Sequence, residues 1–513
     1  MSGTLGDRAP HRSGITVTEL ARELPSSTEI VGDGTVRLTG IRHDSRKVRP
    51  GDLFVARSGR NVDGAQFVAD AVARGASAVM TNRDSVAAGH FAVPLLLVDD
   101  PAIALAFAAS AVYGHPSLSL DVVGITGTNG KTTTAHLVRA AIDGVLQTPS
   151  CGLLGTVEQS FLSWRTDVEH TTPEADDIAR AMMNMRERGA TYVAMEVSSH
   201  ALDLGRVGAV RFRAAALTNL TQDHLDFHRS LRAYAEAKAR LFTELRPESV
   251  VLNVDDALGR DLLTRVKANA VRVSALVGAD ADIVPLRVKC DASGIETAVR
   301  TPHGEVHIRS PLLGAHNLDN LLLTLGIVHA LHLDLSKASE ALGRAPAVPG
   351  RLERCGSWND DVAVLVDYAH TPDALARTLD AVRALAGAKR VLCVFGCGGD
   401  RDSSKRALMG QAVAHRANIA IVTSDNPRTE DPKAIADSVA GGVRAGGGQP
   451  IVELDRGKAI ALAVHMALEG DFVLLAGKGH EDYQIVGTEK KPFSDRIEAA
   501  RALEARSRTR GLV

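Results

Sequence analysis

An α/β protein built on parallel sheets is what this sequence predicts, and three observations carry the prediction. The run Gly124-Ile-Thr-Gly-Thr-Asn-Gly-Lys-Thr-Thr133 lies between an apolar, β-branched stretch at 120–123 and a helical pattern at 134–142. Short apolar runs at 192–196 and 214–219 end in polar residues, and those at 391–395, 419–423 and 472–476 are each followed by a loop rich in Gly, Asp or Pro, the pattern of a parallel sheet whose ligands gather at the strands' carboxyl ends. Finally, 513 residues suffice for about three domains, each with its own core.

The remaining elements follow in chain order. Residues 1–14 are polar, lack the apolar core of a signal peptide and are expected to form a disordered tail. From 15 to 113 short strands and helices alternate: Gly51-Asp-Leu-Phe-Val-Ala56 and Ala78-Val-Met80 read as strands, Val68-Ala-Asp-Ala-Val-Ala-Arg74 as a helix. Gly114-His-Pro-Ser117 is a linker by its punctuating residues. The second linker, Ala345-Pro-Ala-Val-Pro-Gly350, cannot be regular helix. The longest apolar run, 102–112, is too short to span a bilayer. A formal net charge of −2 gives no global field to recruit nucleic acid or a membrane surface. Cys151, Cys290, Cys355, Cys393 and Cys397 are odd in number and scattered. Cys393 and Cys397 approach a metal-pair spacing, but without a second pair all five read as free thiols in a reducing cytosol. A cytoplasmic protein is expected.

The chemistry centres on the glycine run. A turn between strand and helix aims backbone N–H groups and a helix N-terminus at one point, which suits a phosphate. Lys131 adds a mobile charge, and the Thr132 hydroxyl can ligate magnesium held by a nucleotide. The spacing departs from the standard phosphate loop, because Ile125 stands where its first glycine would be. A tight turn alone explains the glycines but not Lys-Thr, so a nucleoside triphosphate is expected. Glu196 closes a strand and can reach the metal, or is a solvated strand-end charge. Thr218-Asn-Leu-Thr-Gln-Asp-His-Leu-Asp-Phe-His228 holds two His and two Asp. His224 and His228 could share a metal if helical, but zinc lacks further ligands there, and support for magnesium or substrate positioning fits better. Asp367-Tyr-Ala-His-Thr-Pro-Asp373 is a candidate ribose or phosphate contact, or an ordinary loop. Two late loops, Gly396-Cys-Gly-Gly-Asp-Arg-Asp402 and Ser424-Asp-Asn-Pro-Arg-Thr429, put an Arg at a strand end, suited to a carboxylate. Gly477-Lys-Gly-His-Glu481 adds a flexible turn and an acid suited to an ammonium. Together these loops could hold a zwitterion with more than one carboxylate; each Arg alone reads as a surface ion pair.

These motifs resemble the Mur ligase family, the ATP-dependent amide ligases of bacterial cell-wall precursor synthesis. The similarity covers nearly the whole chain, through Gly127-Thr-Asn-Gly-Lys-Thr-Thr133, Glu196-Val-Ser-Ser-His200, Thr218-Asn-Leu220, Asp223-His-Leu-Asp226, Gly314-Ala-His-Asn-Leu318 and Asp367-Tyr-Ala-His370, in that order. Asp425-Asn-Pro-Arg428 resembles the signature of members that select meso-diaminopimelate as the third residue of the stem peptide. The resemblance implies a UDP-binding α/β domain at 15–117, a central ATP-binding domain of P-loop ATPase type at 118–347, and a Rossmann-like amino-acid domain at 348–513. It implies that Gly127, Thr128, Asn129, Gly130, Lys131, Thr132, Thr133, Asn317, Arg351 and Asp367 bind ATP. Thr132, Glu196, His224 and Lys238 would hold Mg2+, Lys238 as a carbamate (N6-carboxylysine). Ser45 would contact the uridine diphosphate; Thr171, Thr172, Ser199 and Arg206 would hold the muramyl-dipeptide. Arg401, Asp425, Asn426, Pro427, Arg428, Gly477 and Glu481 would hold diaminopimelate. Leu204 stands where relatives can carry a Gln, so no polar contact is expected there. Without the resemblance, Lys238 reads as a solvated helix charge.

The implied reaction activates the D-Glu carboxylate of UDP-MurNAc-L-Ala-D-Glu as an acyl phosphate, which the amine of meso-diaminopimelate then attacks. His370, bulk water or phosphate would take the proton. Closure of the C-terminal domain, hinged at the linker ending at Arg351, would keep the acyl phosphate dry. A monomer is expected. The rivals are a lysine-adding ligase, a folylpolyglutamate synthase, and a nucleotide-dependent switch or binding protein. The Asp425-Asn-Pro-Arg428 loop and the N-terminal domain speak against the first two; the absence of an Asn-Lys-x-Asp motif speaks against a guanine-nucleotide switch.

Overall fold

The computed structural model describes residues 14–25, 27–57, 63–84, 92–166, 168, 170–221 and 225–510. All but the last residue of the expected N-terminal tail lies outside them. The chain forms two compact units, Met1–Val284 with Leu322–Ala338, and Pro285–Leu321 with Ser339–Val513.

The first unit holds two α/β sheets. Strands β1 (Glu29–Val31), β2 (Gly40–Arg42), β3 (Asp52–Val55), β4 (Ala78–Asn82) and β5 (Leu95–Val98) are ordered β1-β5-β4-β3-β2. All pairings are parallel except β1 on β5. Helix α1 (Pro101–Val112) starts where Asp100 accepts from Ala102 N (2.8 Å) and Ile103 N (3.2 Å), satisfying donors a helix start leaves orphaned. Its buried Ala104, Leu105, Ala108 and Ala109 share a core with the sheet and with Ala175, Ala179 and Met183.

The second sheet is built from β6 (Asp121–Thr126), β7 (Cys151–Leu154), β8 (Gln159–Phe161), β9 (Trp164–Thr166), β10 (Tyr192–Glu196), β11 (Ala214–Leu217), β12 (Ser249–Asn253) and β13 (Asn269–Val273). The order is β9-β8-β7-β10-β6-β11-β12-β13. Five of its pairings are parallel, but β8 and β9 fold back antiparallel at one edge, so the sheet is mixed rather than purely parallel. Strand β6 runs three residues further than the sequence suggests. Gly124 lies inside it because a Cβ there would sit 2.7 Å from Phe212 Cε1, so this glycine serves packing and not the turn. Helices α2 (Lys131–Leu146), α3 (Ala175–Glu187) and α4 (Leu231–Thr243) accompany the sheet.

In the second unit, β14 (Val284–Asp291), β15 (Gly294–Thr301) and β16 (Gly304–Ser310) form a small sheet. A six-stranded sheet follows from β17 (Glu353–Cys355), β18 (Ala363–Asp367), β19 (Val391–Phe395), β20 (Ile419–Val422), β21 (Pro450–Val452) and β22 (Phe472–Ala476), ordered β17-β18-β22-β19-β20-β21. Strand β17 alone is antiparallel to its neighbour. Helix α5 (Pro372–Ala386) begins at Thr371, whose hydroxyl accepts from Ala374 N (3.3 Å), and α6 (Arg456–Met466) at Asp455. A hairpin, β23 (Tyr483–Val486) and β24 (Glu489–Pro492), precedes the last helix. The strand order makes the carboxyl ends of β18, β22, β19 and β20 consecutive neighbours. Among the described residues no helix is long and apolar enough to cross a membrane. All five cysteines are free thiols, as their spacing suggests.

Candidate active site

In the first unit the phosphate loop is Gly127-Thr-Asn-Gly130, and α2 begins directly at Lys131. Gly127 (φ +146°) and Gly130 (φ +85°) take backbone conformations that L side chains rarely adopt. The end of β11 braces the loop from the side. Thr128 N donates to Asn219 O (2.8 Å), Asn129 N to Asn219 Oδ1 (3.0 Å), Thr221 N to Thr128 Oγ1 (2.9 Å), and Thr218 Oγ1 to Asn129 O (2.6 Å). The first residues of the 218–228 block therefore hold the shape of the loop. His224 and Asp223 lie outside the described residues, and so does the Asp226 side chain. His228 meets the buried Ser199 hydroxyl at 2.9 Å.

Two ammonium groups converge on one carbonyl. Lys131 Nζ donates to Gly127 O and Thr128 O (both 2.8 Å), and Lys238 Nζ donates to Gly127 O (2.8 Å). Lys238, on α4, is 1% exposed and lies over the Tyr234 ring, 4.3 Å from its centroid. The solvated helix charge that its sequence context suggests is thus corrected: α4 turns this face, with Tyr234, Ala237 and Leu241, into the sheet.

Glu196 is buried at the end of β10. Its Oε2 accepts from Thr132 Oγ1 (2.9 Å) and Thr156 Oγ1 (3.1 Å), and its Oε1 from Thr156 N (2.6 Å). A hydroxyl and a carboxylate meeting at the phosphate loop are hard oxygen donors, the set that suits magnesium completed by nucleotide oxygens. Among the described residues no cluster of three or more His, Cys, Asp or Glu could hold a metal alone.

Beside this loop, Thr172 and Arg206 come together, with Ser198 rather than Ser199 bonded to Thr172. Thr172 Oγ1 donates to Glu196 O (2.9 Å) and accepts from Ser198 N (2.9 Å), while Arg206 Nη1 donates to Thr172 O (3.0 Å). Thr171 Oγ1 donates to Thr156 Oγ1 (3.1 Å), whose own proton goes to Glu196. Glu174, just before α3, bridges Arg206 (2.6 Å) and Arg57 (2.8 Å). Burial works to raise its pKa, but the bond and charge of Arg57 and the charge of Arg206 outweigh it and hold the carboxyl below its ordinary value. Ser45 is buried in a short turn capped by Asp44, and the neighbouring His43 Nδ1 donates to Asp176 Oδ1 (2.8 Å). The Arg57–Glu174 and His43–Asp176 pairings join positions more than a hundred residues apart, so motif reading missed them; an acid directly after Thr171-Thr-Pro173 was the only available signal.

In the second unit Asp367 ends β18 and spends its carboxylate on its own chain, accepting from Leu352 N (2.8 Å), Ala369 N (2.9 Å) and Thr378 Oγ1 (3.1 Å). Asn317 is similarly engaged with Leu313 O and Asn320 (2.8 and 2.9 Å). Arg351 stacks over the Tyr368 ring, 5.2 Å from its centroid. Asp373, the other acid of that loop, pairs with Arg377 across one exposed helical turn and belongs to the solvated face. His370 Nδ1 donates to Tyr368 O (2.8 Å), which leaves Nε2 as the ring's acceptor. Burial, aided by the nearby Lys405, pulls its pKa below the ordinary histidine value despite that bond.

The three late loops stand on the adjacent ends of β22, β19 and β20. Arg428 takes φ +52°, held there by Arg428 N to Ile485 O (3.1 Å) and Gly487 N to Arg428 O (2.7 Å), and its Nη1 donates to Gly399 O (2.7 Å). Pro427 is buried beside it and Arg401 is exposed. The 477–481 turn is not the flexible element its glycines suggest. Gly479 (φ +54°) packs so closely that a Cβ would sit 2.7 Å from Tyr368 Cβ. Lys478, given no role by sequence, is fully buried among Asp425 (3.3 Å), Asn426 (3.1 Å) and Glu481 (3.3 Å).

A phosphate loop with an acid-and-hydroxyl pair beside it, followed by a Rossmann-like sheet with charged loops along one edge, is the build of an ATP-dependent ligase. Family models agree: Mur ligase family, catalytic domain, matches residues 37–113; Mur ligase middle domain, 125–328; and Mur ligase, glutamate ligase domain, 350–479. The chain belongs to the Mur ligase family and has its three-domain α/β fold. It is 44% identical over 478 residues to the UDP-N-acetylmuramoyl-L-alanyl-D-glutamate--2,6-diaminopimelate ligase of Gloeobacter violaceus, covering 93% of this chain and 96% of that one. The enzyme of the same name from Streptomyces coelicolor is 44% identical over 491 residues, with 94% and 96% covered. A solved structure of a ligase of that name matches with a TM-score of 0.69 and 31% identity, covering 96% of this chain and 99% of that one.

Proposed function

We propose that this protein joins meso-diaminopimelate to UDP-N-acetylmuramoyl-L-Ala-D-Glu at the expense of ATP, forming a peptide bond. The observation that carries this reading is that Arg428, Asp425 and Asn426 share the loop after β20, and that Glu481, from the loop after β22, reaches Asn426 at 3.1 Å. A zwitterion with a second carboxylate needs both donors such as the Arg428 guanidinium and the Asn426 amide, and carboxylate acceptors for an ammonium such as Asp425 and Glu481. The relatives' printed names support the same substrates. The assignment takes 15–117 as the uridine-binding domain, with Ser45 on the diphosphate, 118–347 as the ATP domain and 348–513 as the amino-acid domain.

The γ-phosphoryl of ATP lies in the phosphate loop, where Lys131 swings from the loop carbonyls to the phosphates and offsets their charge. Magnesium would be held by Thr132, Glu196 and His224, with a carbamylated Lys238 as ligand to a second ion, and would supply charge neutralisation on the phosphoryl oxygens. Thr171, Thr172, Ser199 and Arg206 hold the muramyl-dipeptide so that its D-Glu carboxylate faces the nucleotide. That carboxylate attacks the γ-phosphorus and ADP leaves. The diaminopimelate amine, placed by Arg401, Asn426, Arg428, Gly477 and Glu481, then attacks the acyl carbon and phosphate leaves. His370, neutral at pH 7 with its Nε2 lone pair exposed by the Nδ1 bond, takes the amine proton. The protein acts as a monomer in the cytoplasm.

Phosphate release from ATP in the presence of UDP-MurNAc-L-Ala-D-Glu tests the reading. Stimulation by meso-diaminopimelate and not by L-lysine, with a tripeptide product by mass, is expected. Stimulation by lysine alone would keep the ligase and overturn the amino acid; ATP turnover independent of both would overturn the ligase.

A further inference from the structure

Lys478 lies outside every role assigned so far. It is 0% exposed, and its ammonium faces Asp425 Oδ1, Asn426 Oδ1 and Glu481 Oε2 at 3.3, 3.1 and 3.3 Å. Another buried cation of the second unit, Arg456, is paired separately. Arg456 makes a two-pronged pair with Asp495 (2.7 and 2.6 Å) and donates to Ala476 O (3.0 Å). Lys478 is therefore the cation that ties the β20 loop to the β22 loop.

We infer that Lys478 is a positioning residue that takes up the second lone pair of the Asn426 carbonyl oxygen, so that Asn426 offers a ligand only donors, and so sets the amino-acid pocket's preference for a carboxylate-bearing side chain. This rests on the function proposed above. An ammonium can only donate, and a backbone N–H can only donate. Lys478 Nζ and Ile485 N (2.9 Å) both reach the same atom of Asn426, which must be its carbonyl oxygen. The amide nitrogen then faces Glu481 Oε2 at 3.1 Å, a second and independent requirement for the same orientation. An amide oxygen has two lone pairs, and these two donors use both. Asn426 can meet a ligand only as a donor, and a donor pairs with a carboxylate. Without Lys478 one lone pair is released, and the amide can accept from an ammonium such as that of a lysine side chain. The same ammonium keeps Asp425 and Glu481 drawn to a common point, leaving Glu481 pre-set as the acceptor for the ligand's amine.

The test is steady-state phosphate release by the full-length enzyme with meso-diaminopimelate and with L-lysine, wild type against Lys478→Met. Losing a charge-assisted bond that orients the pocket is expected to raise KM for meso-diaminopimelate about tenfold to a hundredfold. KM values for ATP and the muramyl-dipeptide should stay within about twofold of wild type, and the preference for diaminopimelate over lysine should shrink. A general loosening would raise all three KM values together and leave the preference intact; that result, or an unchanged diaminopimelate KM, overturns the inference. If Lys478→Met fails to fold, Asp425→Asn/Lys478→Met is compared with Asp425→Asn, because the double variant keeps the net charge of the native triad. The same selective loss is expected between those two, and its absence overturns the inference. Wild type that uses lysine and rejects diaminopimelate overturns the functional reading instead, a result visible before any variant is made.

Discussion

Replacing Glu174 by Gln probes the bridge beside the muramyl-dipeptide residues. The carboxylate is 9% exposed at the side chain, and its partners Arg57 and Arg206 are 29% and 14% exposed. A fully buried pair broken on one side costs roughly 3–5 kcal/mol. Here both guanidiniums keep some water, and Gln retains one oxygen able to accept from one of them. One charge-assisted bond is lost and the other is weakened, so a cost of about 1.5–3 kcal/mol follows. Urea unfolding of the first unit's transition measures it. The sign of the pH dependence follows from the lowered pKa. Stability from this carboxylate is fully present above its unfolded value, near 4.5, and is lost as pH falls through the lower folded value. Between pH 7 and 5 the wild type should therefore exceed the variant by a constant margin, which closes below pH 4.5. Arg206, freed from Glu174, should also hold the muramyl-dipeptide less well, raising its KM while KM for ATP stays put. A variant as stable as wild type at pH 7, with an unchanged muramyl-dipeptide KM, would refute the bridge as a stabilising and positioning device.

Three further outcomes are expected. Arg428→Ala should raise KM for meso-diaminopimelate by about a hundredfold and leave nucleotide binding, measured by calorimetry, unchanged. Asp495→Ala leaves Arg456 charged and unpaired in the second unit's interior, and should lower that unit's stability by about 3–5 kcal/mol in thermal melts. Because burial lowers the His370 pKa, the neutral base persists to below pH 6.5. The acid limb of the kcat profile should accordingly fall below that value, and His370→Gln should abolish that limb along with most of the rate.

How far the sequence could be read depended on the range of the interactions involved. Strands 192–196, 391–395 and 472–476 were legible to the residue because a buried parallel strand is a short, continuous apolar run. The extent of β6 was not, since Gly124 reads locally as turn chemistry and its packing against Phe212 is a contact across 88 positions of sequence. Edge strands β8 and β9 were missed because short antiparallel segments with mixed composition carry little periodicity. Asp373 and Asp367 look alike as acids of one loop, yet one pairs on an exposed helix and the other holds three groups of its own chain.

By itself the sequence determined the α/β class, the phosphate loop and the order of the motifs, because these rest on local residue patterns: glycines before a Lys-Thr pair, and polar residues closing apolar runs. Only the tertiary structure decided what the charges do. Lys238 and Lys478 are helix and loop lysines in sequence, and both are buried against carbonyls and carboxylates that the chain supplies from far away. Glu174 is one acid among many until the fold places two arginines against it. The physical reason is that the environment of a charge, its burial and its partners, is set by which sheet edges and helix ends become neighbours, and that information is spread over the whole chain.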